Sequence, residues 1–122
     1  MQQVVPMIHV PDVRATVEWY KGIGFTVRST NEPEGEMDWA SLVFGNSEIM
    51  LTEGGRTSSE DRREVDLYIR VDDVEGLFRQ LKDRIEVRVG LSDTFYGTRE
   101  FILRDLNGFW ITIGQELDQR GS

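Results

Sequence analysis

With 122 residues the chain has room for one domain with a sizeable core, and 39% hydrophobic against 30% charged residues is the balance of a globular protein, not a fibrous or unfolded one. A formal net charge of -8 and a pI near 4.6 repel phosphate backbones and attract cations, which argues against nucleic acid as a partner. No apolar run approaches the roughly 20 residues of a membrane helix. The opening residues lack the basic and apolar parts of a signal peptide, and the absence of cysteine excludes disulfides and thiolate chemistry, so a cytoplasmic protein without membrane contact is expected.

Residues 4–10 read as a first strand, after which Asp12 can cap a helix whose Val13, Thr16, Val17 and Tyr20 share one face. Gly22 and Gly24 stop that helix. Residues 25–28 alternate as a second strand, residues 29–36 form a polar loop, and residues 39–44 and 47–52 form a hairpin turning at Gly45 and Asn46. Residues 54–63 have no periodicity and read as a linker.

The order then repeats. Residues 65–71 form a strand, Asp72 or Asp73 caps a helix with Val74, Leu77, Phe78 and Leu81 on one face, and residues 85–89 form another strand. Phe95 to Gly97 lie in a loop, and residues 99–104 and 109–114 form a hairpin around Asn107 and Gly108. The phrase IHVPDVRATVEWY at residues 8–20 has a second copy, IRVDDVEGLFRQL, at residues 69–81. The expected fold class is therefore α+β, built from two tandem βαβββ modules at about 1–53 and 64–122.

Strand residues two apart share a face, so each strand splits into two sets. Ile8 and Val10, Ile49 and Leu51, Leu67, Ile69 and Val71, and Ile111 and Ile113 are aliphatic and belong against the helices. The opposite sets are Val5, Met7 and His9; Glu48 and Met50; Asp66, Tyr68 and Arg70; and Trp110, Thr112 and Gly114. Methionine, aromatic and charged residues mixed on one surface suit a small-molecule cleft, or a subunit interface, better than plain solvent contact.

The doubled βαβββ order, the start VPDVRATVEWYKGIGFTV and the end YGTREFILRDLNGFWITI together resemble the vicinal oxygen chelate superfamily. That group includes glyoxalase I, extradiol dioxygenases, fosfomycin-resistance enzymes and bleomycin-resistance proteins. The resemblance spans nearly the whole chain through V-x-D-V-x-x-x-x-x-W/F-Y near the start and R-D-x-x-G before the last strand. It implies curved sheets around a cleft, a helix on the convex face of each, and a homodimer.

Enzymes of that group hold a divalent metal with His and Glu from four strands. The resemblance carries those positions to Val5, Met50, Asp66 and Thr112, of which only Asp66 suits a hard cation. His9, the sole histidine, shares the face of Val5 but lies about 13 Å further along the strand. No metal and no cofactor are expected.

Asp66 or His9 as a base, with Arg70 or Tyr68 polarising a substrate, gives the enzymatic alternative: a metal-independent isomerase, lyase or hydrolase. Binding is better supplied. Trp39 joins Trp110, Phe95 and Tyr96 as aromatic surface, and Glu34, Glu36, Asp38, Glu48, Asp66, Asp93 and Glu100 supply negative field. The expected ligand-contacting set is Met7, His9, Trp39, Glu48, Met50, Asp66, Tyr68, Arg70, Phe95, Tyr96, Glu100, Trp110 and Thr112. The resemblance to bleomycin-resistance proteins then implies sequestration of a cationic or aromatic antibiotic-like molecule.

Overall fold

Both copies of the repeated phrase fold as a strand, an aspartate cap and a helix. A computed structural model describes residues 2–117, and the chain divides into two units, Met1–Ser58 and Ser59–Ser122, each holding one copy. The extreme ends of the two expected modules, residue 1 and residues 118–122, lie outside the described residues.

In the first unit β1 (Met7–His9), α1 (Val13–Gly22), β2 (Thr26–Asn31), β3 (Trp39–Phe44) and β4 (Ser47–Thr52) make a sheet in the order β1-β4-β3-β2. In the second, β5 (Leu67–Arg70), α2 (Val74–Leu81), β6 (Val87–Asp93), β7 (Thr98–Arg104) and β8 (Trp110–Glu116) make a sheet in the order β5-β8-β7-β6. In each sheet the first strand runs parallel to the last and the other pairs are antiparallel. The α+β class and the doubled βαβββ order are as the sequence predicts.

The helices begin where a carboxylate can take an otherwise unpaired backbone N–H. Asp12 accepts from the Ala15 N–H and Asp73 from the Gly76 N–H, each at 3.0 Å. Of the two candidates for the second cap, Asp73 is the one used. After α1 the chain turns back through Gly24 at φ 117°, a conformation that other residues adopt only with strain.

One face of each sheet is buried against its helix. Val10, Ala40, Leu42, Ile49 and Leu51 are buried, as are Val13, Val17 and Tyr20 of α1; so too are Ile69, Phe101, Leu103, Ile111 and Ile113 with Val74 and Leu81 of α2. Most of the aliphatic sets anticipated from the two-residue period are here, with Ala40, Leu42, Phe101 and Leu103 added, but Ile8, Leu67 and Val71 are only half-buried.

The strand bounds differ from expectation mainly at the outer strands. Residues 4–10 were expected as one strand, but β1 spans only Met7–His9 because Pro6 and Pro11 carry no N–H to donate. The pairing still reaches one residue beyond at each end, with the Met50 N–H donating to the Pro6 carbonyl and the Val10 N–H to the Thr52 carbonyl, both at 2.8 Å. At the start of the second unit, β5 is likewise shorter than residues 65–71.

β2 and β6 run further than residues 25–28 and 85–89, into segments too polar and irregular to alternate. Both are edge strands with one row of backbone groups facing outward, so hydrogen bonding to the inner neighbour defines them rather than a buried side-chain pattern. Each also carries a bulge at the same place, between Val27 and Ser29 and between Val87 and Val89. The inserted residue is an arginine in both cases, Arg28 and Arg88.

Candidate functional site

Register fixes which side chains share the sheet face away from the helix. In the first unit Met7 lies beside Met50, Met50 beside Ser41 and Ser41 beside Ser29. The next row is His9, Thr52, Trp39 and Asn31. Met7 and His9 are exposed, and Met50 and Trp39 half-buried, so this face offers soft and aromatic surface.

Glu48 stands at the opposite end of the face, its side chain almost wholly buried. The Ser41 hydroxyl and the Arg28 guanidinium both donate to it, the latter at 2.9 Å. The bulge aims the Arg28 side chain, a use bulges commonly have. His9 is engaged by the turn that follows β4: its Nδ1 lies 3.0 Å from the Glu53 carbonyl oxygen, which only accepts, so Nδ1 holds the proton there. Gly55 packs on the His9 backbone with no room for a side chain.

In the second unit Tyr68 lies beside Thr112, Thr112 beside Ile102 and Ile102 beside Val89. The next row is Arg70, Gly114, Glu100 and Ser92. Glu100 is 7% exposed, yet no basic side chain among the described residues pairs with it. Three neutral hydroxyls surround it instead. Tyr68 and Thr98 donate to Oε2 at 2.6 and 2.9 Å, and Tyr96 lies 3.0 Å from both oxygens.

Tyr68 comes from β5, Thr98 and Glu100 from β7, and Tyr96 from the β6–β7 turn. Gly114 makes the convergence possible, since a Cβ there would overlap the Tyr68 hydroxyl and lie 3.1 Å from Glu100 Cγ. A glycine inside a strand is unfavourable by itself, and close approach of another group is a usual reason for one. Burial, then the hydrogen bond to Glu100, pushes the Tyr68 phenol above its ordinary pKa; for Tyr96 the hydrogen bond to Glu100 comes first and burial second. Both therefore remain protonated donors at neutral pH.

At the other end of this face the segment expected to be a linker is tied down. The Trp110 Nε1–H donates to the Asp61 carbonyl at 2.9 Å, with the guanidinium carbons of Arg62 and Arg88 at 4.3 and 5.6 Å from its ring centroid. Arg104 donates to the Asp61 carbonyl at 3.1 Å. Asp66 binds Arg62 through both carboxylate oxygens. The enzymatic alternative placed Asp66 with Arg70 and Tyr68; its partner is Arg62, whereas Arg70 lies over the Tyr68 ring at 5.5 Å.

Phe95, at the tip of the β6–β7 turn, is 98% exposed and makes an edge contact with Tyr96 at 5.0 Å. A depression of about 240 Å³ lined by Arg70, Val71, Asp72, Gln115 and Glu116 opens at the end of the sheet where Arg70 pairs with Gly114. Among the loop acids, Asp38 accepts from the Asn31 side chain and Asp93 is held by Arg99, which lowers its pKa. Glu34 and Glu36 are exposed in and after a single 3₁₀ turn, Pro33–Gly35. Thr98 and Arg62 are not anticipated from the sequence, which carries no signal for Arg62 and Arg88 over Trp110 or for the close approach of Tyr68 at Gly114, because those partners are distant in the chain.

The positions that would bind a metal in the resembling enzymes do not suit one here. Val5 has no donor, the Met50 thioether is soft, Thr112 is a neutral hydroxyl, and the Asp66 carboxylate is committed to Arg62. Among the described residues no three His, Asp or Glu side chains converge to hold a metal ion. Among the described residues no helix is long and apolar enough to cross a membrane.

Residues 2–113 match the model of the Glyoxalase/Bleomycin resistance protein/Dioxygenase superfamily. The fold is similar to that of TioX from Micromonospora sp. ML1, with a TM-score of 0.77 and 22% identity over 96% of this chain and 100% of that one. A bleomycin-binding protein crystallised with bleomycin gives 0.72 and 16% over 95% and 99% of the two chains. The bleomycin resistance determinant encoded on transposon Tn5 gives 0.72 and 19% over 95% and 98%. No curated protein sequence matches the chain.

Proposed function

We propose that this chain, which belongs to the glyoxalase/bleomycin resistance protein/dioxygenase superfamily, binds and sequesters a cationic, partly aromatic small molecule without using a metal. The observation that carries the reading is a contrast. All four positions where a metal would be held lack a suitable free donor, while the sheet faces and their turns keep accessible methionine and aromatic side chains. Sequestration needs contact area and charge, not a reacting group, so nothing it requires has been lost.

The acidic surface speeds encounter with a cation, and each aromatic contact adds about 0.5–2 kcal/mol. Two structurally similar proteins are described as bleomycin-binding and as a bleomycin resistance determinant, which supports an antibiotic-like ligand. The Asp66 form of the enzymatic alternative is disfavoured, because that carboxylate is occupied by Arg62.

Intrinsic tryptophan fluorescence and thermal shift on EDTA-treated protein test the proposal, using cationic glycopeptide and aromatic antibiotics beside divalent metals. Saturable quenching by one drug class, weakened by salt, is the expected result. Stabilisation by a metal with no drug response overturns it. The reading includes a homodimer, checked by sedimentation as twice the 14.1 kDa chain mass.

A further inference from the structure

We propose that Glu100, Tyr68 and Tyr96 form a subsite for a primary organic ammonium group, the cationic end of the ligand whose sequestration is proposed above, on which reading its biological role rests. Glu100 Oε2 is filled by hydroxyl protons from Tyr68, Tyr96 and Thr98, whereas among the described residues Oε1 receives Tyr96 alone. A carboxylate can accept about four hydrogen bonds, so Oε1 keeps a vacant lone pair. Each tyrosine has turned its single proton toward Glu100, which leaves both phenolic oxygens presenting lone pairs. The cluster thus gathers acceptors around one negative charge.

An ammonium group, with three donors and one positive charge, is the complement of that surface. The tyrosine rings, 46% and 58% exposed for Tyr68 and Tyr96, add aromatic edges and faces on which a cation or an aryl group can rest. A divalent metal is poorly served by comparison, because one carboxylate with a single vacant lobe cannot replace several oxygen ligands. The site is also built, not accidental: Gly114 leaves out the one side chain that would displace Tyr68. Arg70, over the Tyr68 ring, is the nearest competing cation on the same row of the face.

The test is an NMR titration of the full chain with benzylammonium chloride, with benzyl alcohol as the uncharged control, tetramethylammonium as the cation without donors, and magnesium and zinc as metal controls. Benzylammonium is expected to shift the amides of Thr98, Glu100 and Gly114 saturably, and the controls are not. Glu100→Gln should weaken binding about tenfold or more and the surface variant Tyr96→Phe about three- to tenfold, the scales of a charge-assisted and a neutral hydrogen bond. Arg70→Ala should tighten it.

If Glu100→Gln does not fold, Tyr96→Phe decides. Shifts lying elsewhere, equal response to benzyl alcohol, a metal-driven shift at Glu100, or undiminished binding by the variants overturns the subsite. Drug binding that ignores Glu100→Gln would leave the sequestering function standing and remove the subsite. Ammonium binding at Glu100 with no drug bound would do the reverse.

Discussion

The two units share a plan but distribute charge and bulk in opposite ways. On the open faces, Trp39 of β3 and Glu100 of β7 hold equivalent register positions, beside Thr52 and Gly114, and Glu48 of β4 corresponds to Trp110 of β8. The acid and the aromatic have changed places. In the first unit the bulge arginine, Arg28, neutralises the acid; in the second Arg88 and Arg62 lie over the tryptophan, and among the described residues the acid meets hydroxyls and no basic side chain. The same bulge thus serves an ion pair on one face and a cation over a tryptophan on the other.

Behind the sheets the exchange is one of volume. Ala40 and Phe101 occupy matching central positions, opposite Leu51 and Ile113. The first unit fills the space from the helix with Tyr20, which meets Phe25 edge-on at 5.3 Å. The second fills it from the strand, Phe101 meeting Phe78 at 5.1 Å. Constant packing density requires such compensation, so a repeat can diverge in residues while its layer spacing persists.

This comparison can be broken most directly at Phe101. Phe101→Ala removes the larger partner with nothing on α2 to replace it, and should cost about 3–5 kcal/mol in urea unfolding. A loss under about 1 kcal/mol would refute the volume exchange. Next, Gly114→Ala forces the Tyr68 hydroxyl off Glu100 and should cost about 1–3 kcal/mol, whereas Thr52→Ala at the matching position should stay under about 1 kcal/mol.

Arg28→Ala leaves Glu48 without its cation and should cost about 1 kcal/mol, the guanidinium being well exposed; Arg88→Ala should cost less, as one of two cations over Trp110. The smallest effect concerns pH. Folding raises the phenol pKa values of Tyr68 and Tyr96 above the ordinary 10.0, so the native state holds those protons more tightly. Their contribution is complete below that value and is lost as pH rises through the folded ones. Absorbance at 295 nm should show late ionisation of these tyrosines, and Glu100→Gln should bring it earlier.

Much of the architecture was legible because it is local. Asp12 and Asp73 cap helices by reaching three residues along the chain, and the helix-facing sets obey a two-residue alternation. Asp105, inside the R-D-x-x-G motif, proves to be a builder of the turn: its carboxylate accepts from the Asn107 and Phe109 N–H groups at 2.8 and 2.9 Å. The edge strands are less legible, since β2 and β6 are held by a neighbour and not by their own side-chain pattern.

The site was legible only as a set of candidates. Sequence alternation correctly separated Tyr68, Arg70, Trp110 and Thr112 from the helix-facing residues. It could not say that Trp110 lies under Arg62, that Asp66 is spent on the same arginine, or that Glu100 meets three hydroxyls. The segment containing Arg62 has no periodicity, and its order comes from Arg104 and Trp110, more than 40 residues away.

The sequence by itself determined the element order, the helix starts and the face each strand turns to its helix, because capping and side-chain alternation act within a few residues. Tertiary structure alone decided the chemistry of the open faces. Glu100, Tyr68, Tyr96 and Gly114 come from β7, β5, a turn and β8, and their meeting depends on strand register and bulges that long-range pairing sets.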